Sequence, residues 1–305
     1  MGLLGTFFRR QRRSATRLIF FLTNIKTMNL TTRILGSLFI LFGSLTAYAQ
    51  NSAGKEQNDS EKPTKYAMPL YLDLPAEMDV EKGYQEMNVL AGFTDYKANS
   101  TFRTIVEYAF APAKRLAFEV ELPFSFEHNK EVDGIETGEA ENRLEGFKFG
   151  GMYTFSVIPQ QKLALSAGFF NELEATPFKD FGHPLFEGNI FQPFIGGAKV
   201  WGENFHTLLY TGPSIRTAFE EKETVTDWKI NTNLSYRFGK KENYAGVEIN
   251  QTAFKGGYFE TILRPQVHIS FTPQVVLGVG ATIAAKSEGM NGGGFFRLIY
   301  MPGIK

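Results

Sequence analysis

The sequence predicts an all-β fold, an antiparallel up-and-down transmembrane β-barrel of about twelve strands. Three observations predict it. From Gly83 onward, segments of about ten residues alternate apolar with polar side chains. The connections between these segments alternate between short and long. Aromatic residues collect at both ends of the apolar faces. A pleated strand with a period of two presents one apolar and one polar face, as lipid outside and water inside require.

The chain ahead of the barrel is assigned to export and connection. Residues 1–27 read as an over-extended start, and 28–49 as a signal peptide. Residues 50–82 read as a polar linker and periplasmic lead-in, and 83–305 as the barrel. The expected location is the outer membrane of a Gram-negative bacterium, reached through a cleaved signal peptide.

The signal peptide has three recognisable parts. Residues 28–33 form a short basic region, 34–45 an apolar region, and Ala47-Tyr48-Ala49 a small-x-small cleavage site. A twin-arginine export signal at FFRRQRR, residues 7–13, is the alternative.

Composition excludes several classes of function. The 32 basic and 32 acidic residues cancel, but seven basic and no acidic residues lie in the first 49, so 25 basic and 32 acidic residues follow. An acidic chain without a basic stripe is a poor ligand for nucleic acid. The chain has no cysteine, which excludes thiol nucleophiles, disulfides and cysteine-based metal sites.

Twelve segments are predicted as strands. In the third, Leu116, Phe118 and Val120 alternate with Glu119 and Glu121, which makes it the clearest. The sixth and seventh alternate poorly, and each contains a proline, which is unfavourable inside a sheet. In chain order the segments are 84–94, 101–110, 115–127, 144–155, 163–172, 190–201, 205–216, 225–238, 244–252, 259–271, 275–283 and 295–300.

The connections and the aromatic residues set the orientation. Short connections follow the second, fourth, sixth, eighth and tenth strands, as periplasmic turns do, and long ones follow the third, fifth, seventh and eleventh. Two aromatic girdles are predicted at the ends of the apolar face. The periplasmic girdle contains Phe110, Tyr153, Phe155, Tyr236, Phe238, Phe271 and Tyr300. The outer girdle contains Phe93, Phe124, Phe126, Phe169, Trp228 and Phe259. A soluble periplasmic β-protein, with its aromatic residues at mid-strand, is the competing fold.

Residues 71–126, YLDLPAE through VELPFSF, resemble outer-membrane β-barrel proteins grouped with the MetA-pathway-of-phenol-degradation and porin/α-amylase-like transporters. The resemblance is firmest over 83–126. It implies passage of small, hydrophobic or aromatic molecules across the outer membrane, and it carries no catalytic motif. Barrels of this sort usually end on an aromatic residue, whereas MPGIK follows Tyr300 here.

The polar faces supply the predicted pore lining, a set of both charge signs that argues against a strongly ion-selective ring. Its members are Arg103, Glu107, Arg115, Glu119, Glu121, Lys148, Glu172, Asp227, Lys229, Arg237, Glu248, Arg264 and His268. Glu260 and Arg297 belong to the same inward face. The predicted function is a passive channel for small solutes. The alternatives are a plugged structural barrel and an outer-membrane lipid-hydrolysing enzyme.

Catalytic and metal sites are disfavoured. Glu119 and Glu121 are adjacent on one face at the spacing of some glycosidase carboxylates, but no cleft is visible. His268 and Ser270 lie two apart, as in outer-membrane phospholipases, but on the lumen face beside a periplasmic turn. His128, His183 and His206 lack metal-ligand spacing, and the loop at Gly134 lacks the order of a calcium loop. No cofactor is expected. The expected partners are outer-membrane lipid, an unidentified small solute and the barrel-assembly machinery, with no nucleic acid.

Overall fold

Twelve long antiparallel strands form one closed sheet in the computed structural model, which describes residues 64–72, 74–132, 135–136, 142–178, 184–239 and 242–302. The predicted all-β barrel of about twelve strands is confirmed. The strands are β1 Gln85–Tyr96, β2 Asn99–Ala113, β3 Leu116–Asn129, β4 Gly146–Ile158, β5 Leu163–Ala175, β6 Phe186–Trp201, β7 Phe205–Ala218, β8 Thr224–Phe238, β9 Asn243–Ala253, β10 Phe259–Ser270, β11 Val275–Lys286 and β12 Met290–Tyr300.

Several sequence predictions lie outside the described residues. They are the over-extended start, the signal peptide, nearly all of the polar linker, the loop around Gly134, His183 and the end of the MPGIK tail.

The barrel closes through β1. Val89 of this strand lies opposite Val106 of β2 on one side and Leu298 of β12 on the other. Closure pairs the backbone groups of both edge strands, which removes the exposed edges that lipid could not satisfy.

Three short strands and one turn of helix complete the described secondary structure. Arg143–Leu144 pairs with β3 opposite Phe124 and Ser125. It lies at the end of the barrel that bears the connection from β3 to β4, called the long-loop end below; the opposite end is called the short-turn end. Glu131–Val132 and Ile135–Glu136 pair with each other in the connection after β3. Pro159–Gln161 forms a single 3-10 turn between β4 and β5. Among the described residues, no helix is both long and apolar enough to cross a membrane.

Pro193 and Pro213, which make the sixth and seventh segments unfavourable as strands, lie at the same irregularity in the sheet. β6 and β7 pair on both sides of it, but the register between them skips from Thr211 opposite Ile195 to Ile215 opposite Phe191. Pro193 and Pro213 fall in this gap, so their missing N–H groups interrupt the ladder at one place. The strands persist because each is fully paired with its other neighbour.

The outer face of the barrel is apolar. Val106, Leu122, Ile195, Val279 and Leu298 are each more than a third exposed. A soluble monomer rarely exposes a contiguous apolar belt of this kind, whereas lipid covers it at no cost. The predicted girdle residues include Tyr153, Phe155, Tyr236, Phe271 and Tyr300 at the short-turn end and Phe93, Phe126 and Trp228 at the long-loop end, all exposed.

The interior contains a segment that the sequence interpretation placed outside the barrel. Residues 66–72 and 74–80, called the lumen segment below, precede β1 and pack against the inward faces of the strands. Leu70, Leu74 and Met78 are each 1% exposed. Leu74 and Met78 join Met152 and Phe194 in one buried cluster. The expectation of a periplasmic lead-in over these residues is therefore corrected, because an apolar segment gains more by filling the lumen than by lying in water.

Candidate functional site

The lumen segment is tied to the barrel wall through its own backbone. The N–H of Leu70 donates to Gln266 at 3.1 Å, and those of Tyr71 and Leu72 donate to the two carboxylate oxygens of Glu248 at 3.2 and 3.0 Å. An irregular segment inside a barrel has no ladder partner, so the wall side chains must satisfy its buried backbone groups.

The carbonyl groups of the same segment are satisfied in the same way. The carbonyl oxygen of Ala67 accepts from Asn233 at 3.1 Å, that of Leu70 from Arg297 at 3.3 Å, and that of Leu72 from the Tyr210 hydroxyl at 2.7 Å. The Ala67 N–H donates to Nδ1 of His206 at 3.2 Å, which requires that nitrogen to be unprotonated. These polar side chains of the barrel wall therefore form hydrogen bonds with the backbone of the lumen segment.

Tyr71 forms the inner tip of the lumen segment. The guanidinium of Arg264 lies 3.8 Å from the centre of its ring, within the range of a cation–π contact. Phe295 meets the same ring edge-on at 5.1 Å. Two wall residues thus fix the Tyr71 ring across the lumen.

The return limb of the segment is anchored near the short-turn end. Asp79 forms an ion pair with Arg115 at 2.7 Å, and its N–H donates to the Thr154 hydroxyl at 3.2 Å. The Asp79 side chain is 7% exposed. Ala67, bonded to His206, and Asp79, bonded to Arg115, therefore both lie near the short-turn end, and only Tyr71 at the tip reaches towards the long-loop end.

A chamber of about 700 Å³ lies between this tip and the long-loop end. Tyr71 forms part of its lining together with Tyr96, Arg103, Glu145 and Glu172. Its volume falls within the range of small-molecule sites, about 300–1,000 Å³. The chamber is thus large enough for a solute the size of a sugar or an aromatic acid.

Most charges around the chamber are already paired. Arg103 contacts Glu145 at 2.5 Å, Arg143 contacts Glu187 at 3.0 Å, and Arg216 contacts Glu174 at 2.8 Å. These pairs are partly exposed, so each contributes modestly to stability. Because each pair joins an arginine to a glutamate, positive and negative groups lie side by side in this part of the wall. Such a lining offers hydrogen bonds to a polar solute without selecting strongly for either charge.

The structure places the predicted pore-lining residues at different depths of the barrel and gives them different contacts. Arg103 and Glu172 line the chamber. Glu248 and Arg264 contact the lumen segment, and Glu107, Glu119, Glu121 and Lys148 lie together in the wall. Arg115 anchors Asp79, and Arg237 donates to the carbonyl oxygen of Glu203 at 2.9 Å. Lys229 and His268 are half-buried, and the half-buried Asp227 accepts from the Lys255 N–H. Lining of an open pore by these residues stays a prediction.

Sequence reasoning missed the neutral residues that hold the segment. Asn233, Gln266 and Tyr210 are absent from the predicted pore lining, which consists of acidic, basic and histidine residues. An available signal was the row of inward amides on neighbouring strands, Asn231, Asn233, Asn250 and Gln266. Amide side chains both donate and accept, which suits them to binding a backbone.

The residues considered for lipid hydrolysis have structural contacts. The Ser270 hydroxyl donates to the carbonyl oxygen of Glu242 at 2.9 Å. The ring of His268 packs edge-on against Tyr244 at 5.5 Å, and Tyr244 packs similarly against His206 at 5.1 Å. These contacts place both residues in the packing at the short-turn end.

Two of the solved structures that the chain resembles are the COG4313 outer membrane channel and the KdgM porin. The COG4313 outer membrane channel from Pseudomonas putida F1 aligns with a TM-score of 0.54 and 11% identity, over 80% of this chain and 100% of that one. The KdgM porin aligns with a TM-score of 0.49 and 11% identity, over 70% of this chain and 98% of that one. The expected resemblance to porin-like outer-membrane barrels is confirmed at the level of the fold. No curated protein matches the sequence.

A family model described as HAEPLYID-like matches residues 62–301. Read as one-letter amino-acid codes, that description agrees with residues 66–73, YAMPLYLD, at five of its eight positions. The matched region includes the lumen segment as well as all twelve barrel strands. The chain therefore belongs to the HAEPLYID-like family.

Proposed function

We propose that this protein is a passive outer-membrane channel for a small polar solute, and that the lumen segment is its gate. The observation that carries the proposal is the chamber of about 700 Å³, which ends on Tyr71 at the tip of the segment. A solute that enters from the long-loop side reaches the chamber and stops at this tip. Passage to the other side then requires the segment to move.

The contacts of the lumen segment suit a movable element. Each hydrogen bond between neutral groups contributes only about 0.5–1.5 kcal/mol, and each one to the charged group of Glu248 or Arg297 about 1.5–3 kcal/mol, because water replaces it on release. The strands of the barrel pair with one another and not with residues 66–72 and 74–79, so this part of the segment can leave while the barrel stays closed. Release exposes Leu70, Leu74 and Met78, which favours the closed state at rest.

The likeness to the COG4313 outer membrane channel supports the proposal only through the shared fold. Export through the signal peptide, insertion by the barrel-assembly machinery and contact with outer-membrane lipid belong to the same proposal. The apolar outer face supports the membrane location, since water would leave it uncovered.

A plugged structural barrel is the second candidate. Three apolar anchors of the lumen segment, each 1% exposed, favour it, because they resemble core residues more than a pore lining. Under this alternative the segment never leaves and no solute crosses.

A disulfide between segment and wall separates the two candidates. An ideal Cβ built on Gly278 lies 3.1 Å from Cγ of Leu70, which occupies the place that Sγ of a cysteine at position 70 would take, so the two positions are close enough for a disulfide. The chain has no other cysteine, so the double variant Leu70→Cys/Gly278→Cys forms a unique bridge. The single variants Leu70→Cys and Leu70→Ala are the controls, because a Cβ added at Gly278 beside an intact Leu70 would lie 2.6 Å from its Cδ1.

The measurement is conductance of the purified, folded protein in planar bilayers before and after reduction. We expect channel openings in the reduced double variant, loss of openings on oxidation, and no redox effect in the single variants. Equal conductance in both redox states contradicts the gate. Absence of conductance from wild type and reduced variant alike contradicts the channel and leaves the structural barrel.

A further inference from the structure

Three glutamates meet inside the barrel wall below the chamber. Glu107 of β2 and Glu119 and Glu121 of β3, called the glutamate cluster below, each offer a carboxylate oxygen, and these atoms lie within 4.8 Å of one another. Their exposed fractions are 7%, 1% and 6%. Three like charges at this separation in a buried site repel strongly unless positive charge compensates them.

Two of the three carboxylates have cationic partners. Glu107 pairs with the buried guanidinium of Arg297 at 2.7 Å, and Glu121 contacts the ammonium group of Lys148. Both oxygens of Glu119, in contrast, are buried and receive no hydrogen bond from a cationic or amide donor, and the Glu119 side chain contacts that of Glu121. The unsatisfied carboxylate is thus the one at the most buried position of the cluster.

A second unsatisfied oxygen lies beside the cluster. Asn88 of β1 donates from Nδ2 to Glu107 at 2.7 Å, while its Oδ1 is buried and accepts no hydrogen bond. A buried amide oxygen and a buried carboxylate without donors are each costly. Both point to a missing positive group, and every available ligand atom is an oxygen.

The charges indicate the valence of that group. Lys148 lies directly opposite Glu172 in the register of β4 and β5, and its ammonium nitrogen is 4.3 Å from the centre of the Phe170 ring. Turned towards Glu172, it would neutralise that carboxylate instead of Glu121. With Lys148 at Glu121, the three glutamates, Arg297 and Lys148 carry one net negative charge; with Lys148 at Glu172, the glutamates and Arg297 carry two, which match a divalent cation.

We propose that the glutamate cluster and Asn88 bind a hard divalent cation of the Ca²⁺ class. Glu119 supplies both carboxylate oxygens, Glu107 and Glu121 supply one each, and Asn88 supplies its amide oxygen. An all-oxygen set with several carboxylates is the kind that Ca²⁺ prefers. This inference does not depend on channel activity, since the site lies in the wall.

The test is calorimetric titration of CaCl₂ into the full-length folded protein in detergent free of lipopolysaccharide. We expect saturable binding at one site and a higher thermal unfolding midpoint with Ca²⁺. Glu119→Gln keeps the shape of the side chain and should weaken binding by more than about tenfold. Glu260→Gln is the matched control, because Glu260 also faces inward but accepts from Ser287 away from the cluster.

Heat-modifiable gel mobility shows that each variant has folded. Absence of saturable Ca²⁺ binding to the wild type at neutral and at alkaline pH overturns the proposal, and protonation of Glu119 then accounts for its missing partner. Equal binding by wild type and folded Glu119→Gln overturns it as well.

Discussion

At the scale of single residues, Arg297 connects the barrel wall with the lumen segment. Its side chain is 2% exposed, and its guanidinium donates both to Glu107 and to the carbonyl oxygen of Leu70. A buried arginine of this kind compensates a buried carboxylate and satisfies a backbone carbonyl at once. Its removal deprives Glu107 of its cationic partner, leaving Asn88 as a neutral donor, and deprives the Leu70 carbonyl of the guanidinium.

A double-mutant cycle tests the Arg297–Glu107 pair. Arg297→Met should destabilise the folded barrel by about 3–5 kcal/mol, because Glu107 then remains as a buried charge without its partner. Adding Glu107→Gln should restore much of the loss, since the remaining amide is neutral. Urea unfolding followed by tryptophan fluorescence measures both. Additive losses in the double variant would show that the two side chains do not interact.

Glu77, on the return limb of the lumen segment, gives a pH-dependent prediction. Burial raises the pKa of its carboxyl from 4.5 to about 7, against the attraction of Lys65 and with repulsion from Glu242 and Glu86. Between these two pH values the folded state holds more protons than the unfolded state, so its stability falls as pH rises through this interval.

Glu77→Gln isolates this contribution. The variant should lose less stability than the wild type between pH 4.5 and pH 7, the ordinary and folded pKa values of the carboxyl. Chemical unfolding at both pH values provides the comparison. Parallel pH profiles of the two proteins would be inconsistent with a buried Glu77 carboxyl.

At the scale of elements, β6 and β7 show how a sheet accepts two prolines. The gap in their pairing brings the backbone so close that a Cβ on Gly212 would lie 1.9 Å from the carbonyl oxygen of Pro193. Only glycine fits there, because backbone atoms cannot move aside as a flexible side chain does. The period of two in the sequence is also weak around Pro193 and Pro213, where the pairing of β6 with β7 is interrupted.

Gly212→Ala should therefore impair the barrel. We expect failed assembly or a loss of several kcal/mol, whereas Gly256→Ala, which has nothing within 4 Å of its ideal Cβ, should be neutral. Heat-modifiable mobility after folding into detergent distinguishes the two. A Gly212→Ala barrel as stable as the Gly256→Ala barrel would contradict the close contact.

The lumen segment is the element that sequence reasoning placed wrongly. Residues 66–80 have no period of two and contain two prolines, so the pattern indicated a connection. Its apolar residues Leu70, Leu74 and Met78 recur every four positions, which predicts neither a strand nor a lipid-facing surface. Its burial depends on contacts with residues more than a hundred positions away, such as Gln266 and Arg297.

At the scale of the whole molecule, the exposed aromatic residues at both ends of the barrel predict where the membrane lies. Trp201 at the short-turn end is 51% exposed, and Trp228 at the long-loop end is 37% exposed. The indole N–H of each donates to a threonine hydroxyl, Thr207 and Thr211 respectively, while its ring faces outward. Amphipathic rings of this kind favour the membrane interface.

Brominated lipids test this placement, because the chain has two tryptophans. Trp201→Phe and Trp228→Phe each leave one reporter, at opposite ends of the barrel. Both reporters should be quenched more by bromine near the headgroup than by bromine near the chain end. Stronger quenching by bromine near the chain end would show that the tryptophan does not lie at the membrane interface. No quenching at all would support a soluble β-protein.

The sequence by itself determined the barrel, because the alternation of apolar and polar residues set the strands and their faces. The orientation in the membrane and the aromatic girdles stay predictions. The strands and their faces follow from the sequence because they depend on neighbours within one strand and on the boundary between lipid and water. Only the tertiary structure decided what the lumen contains. Which inward side chain binds the segment, lines the chamber or joins the glutamate cluster depends on strands brought together by closure, a relation that no local pattern contains.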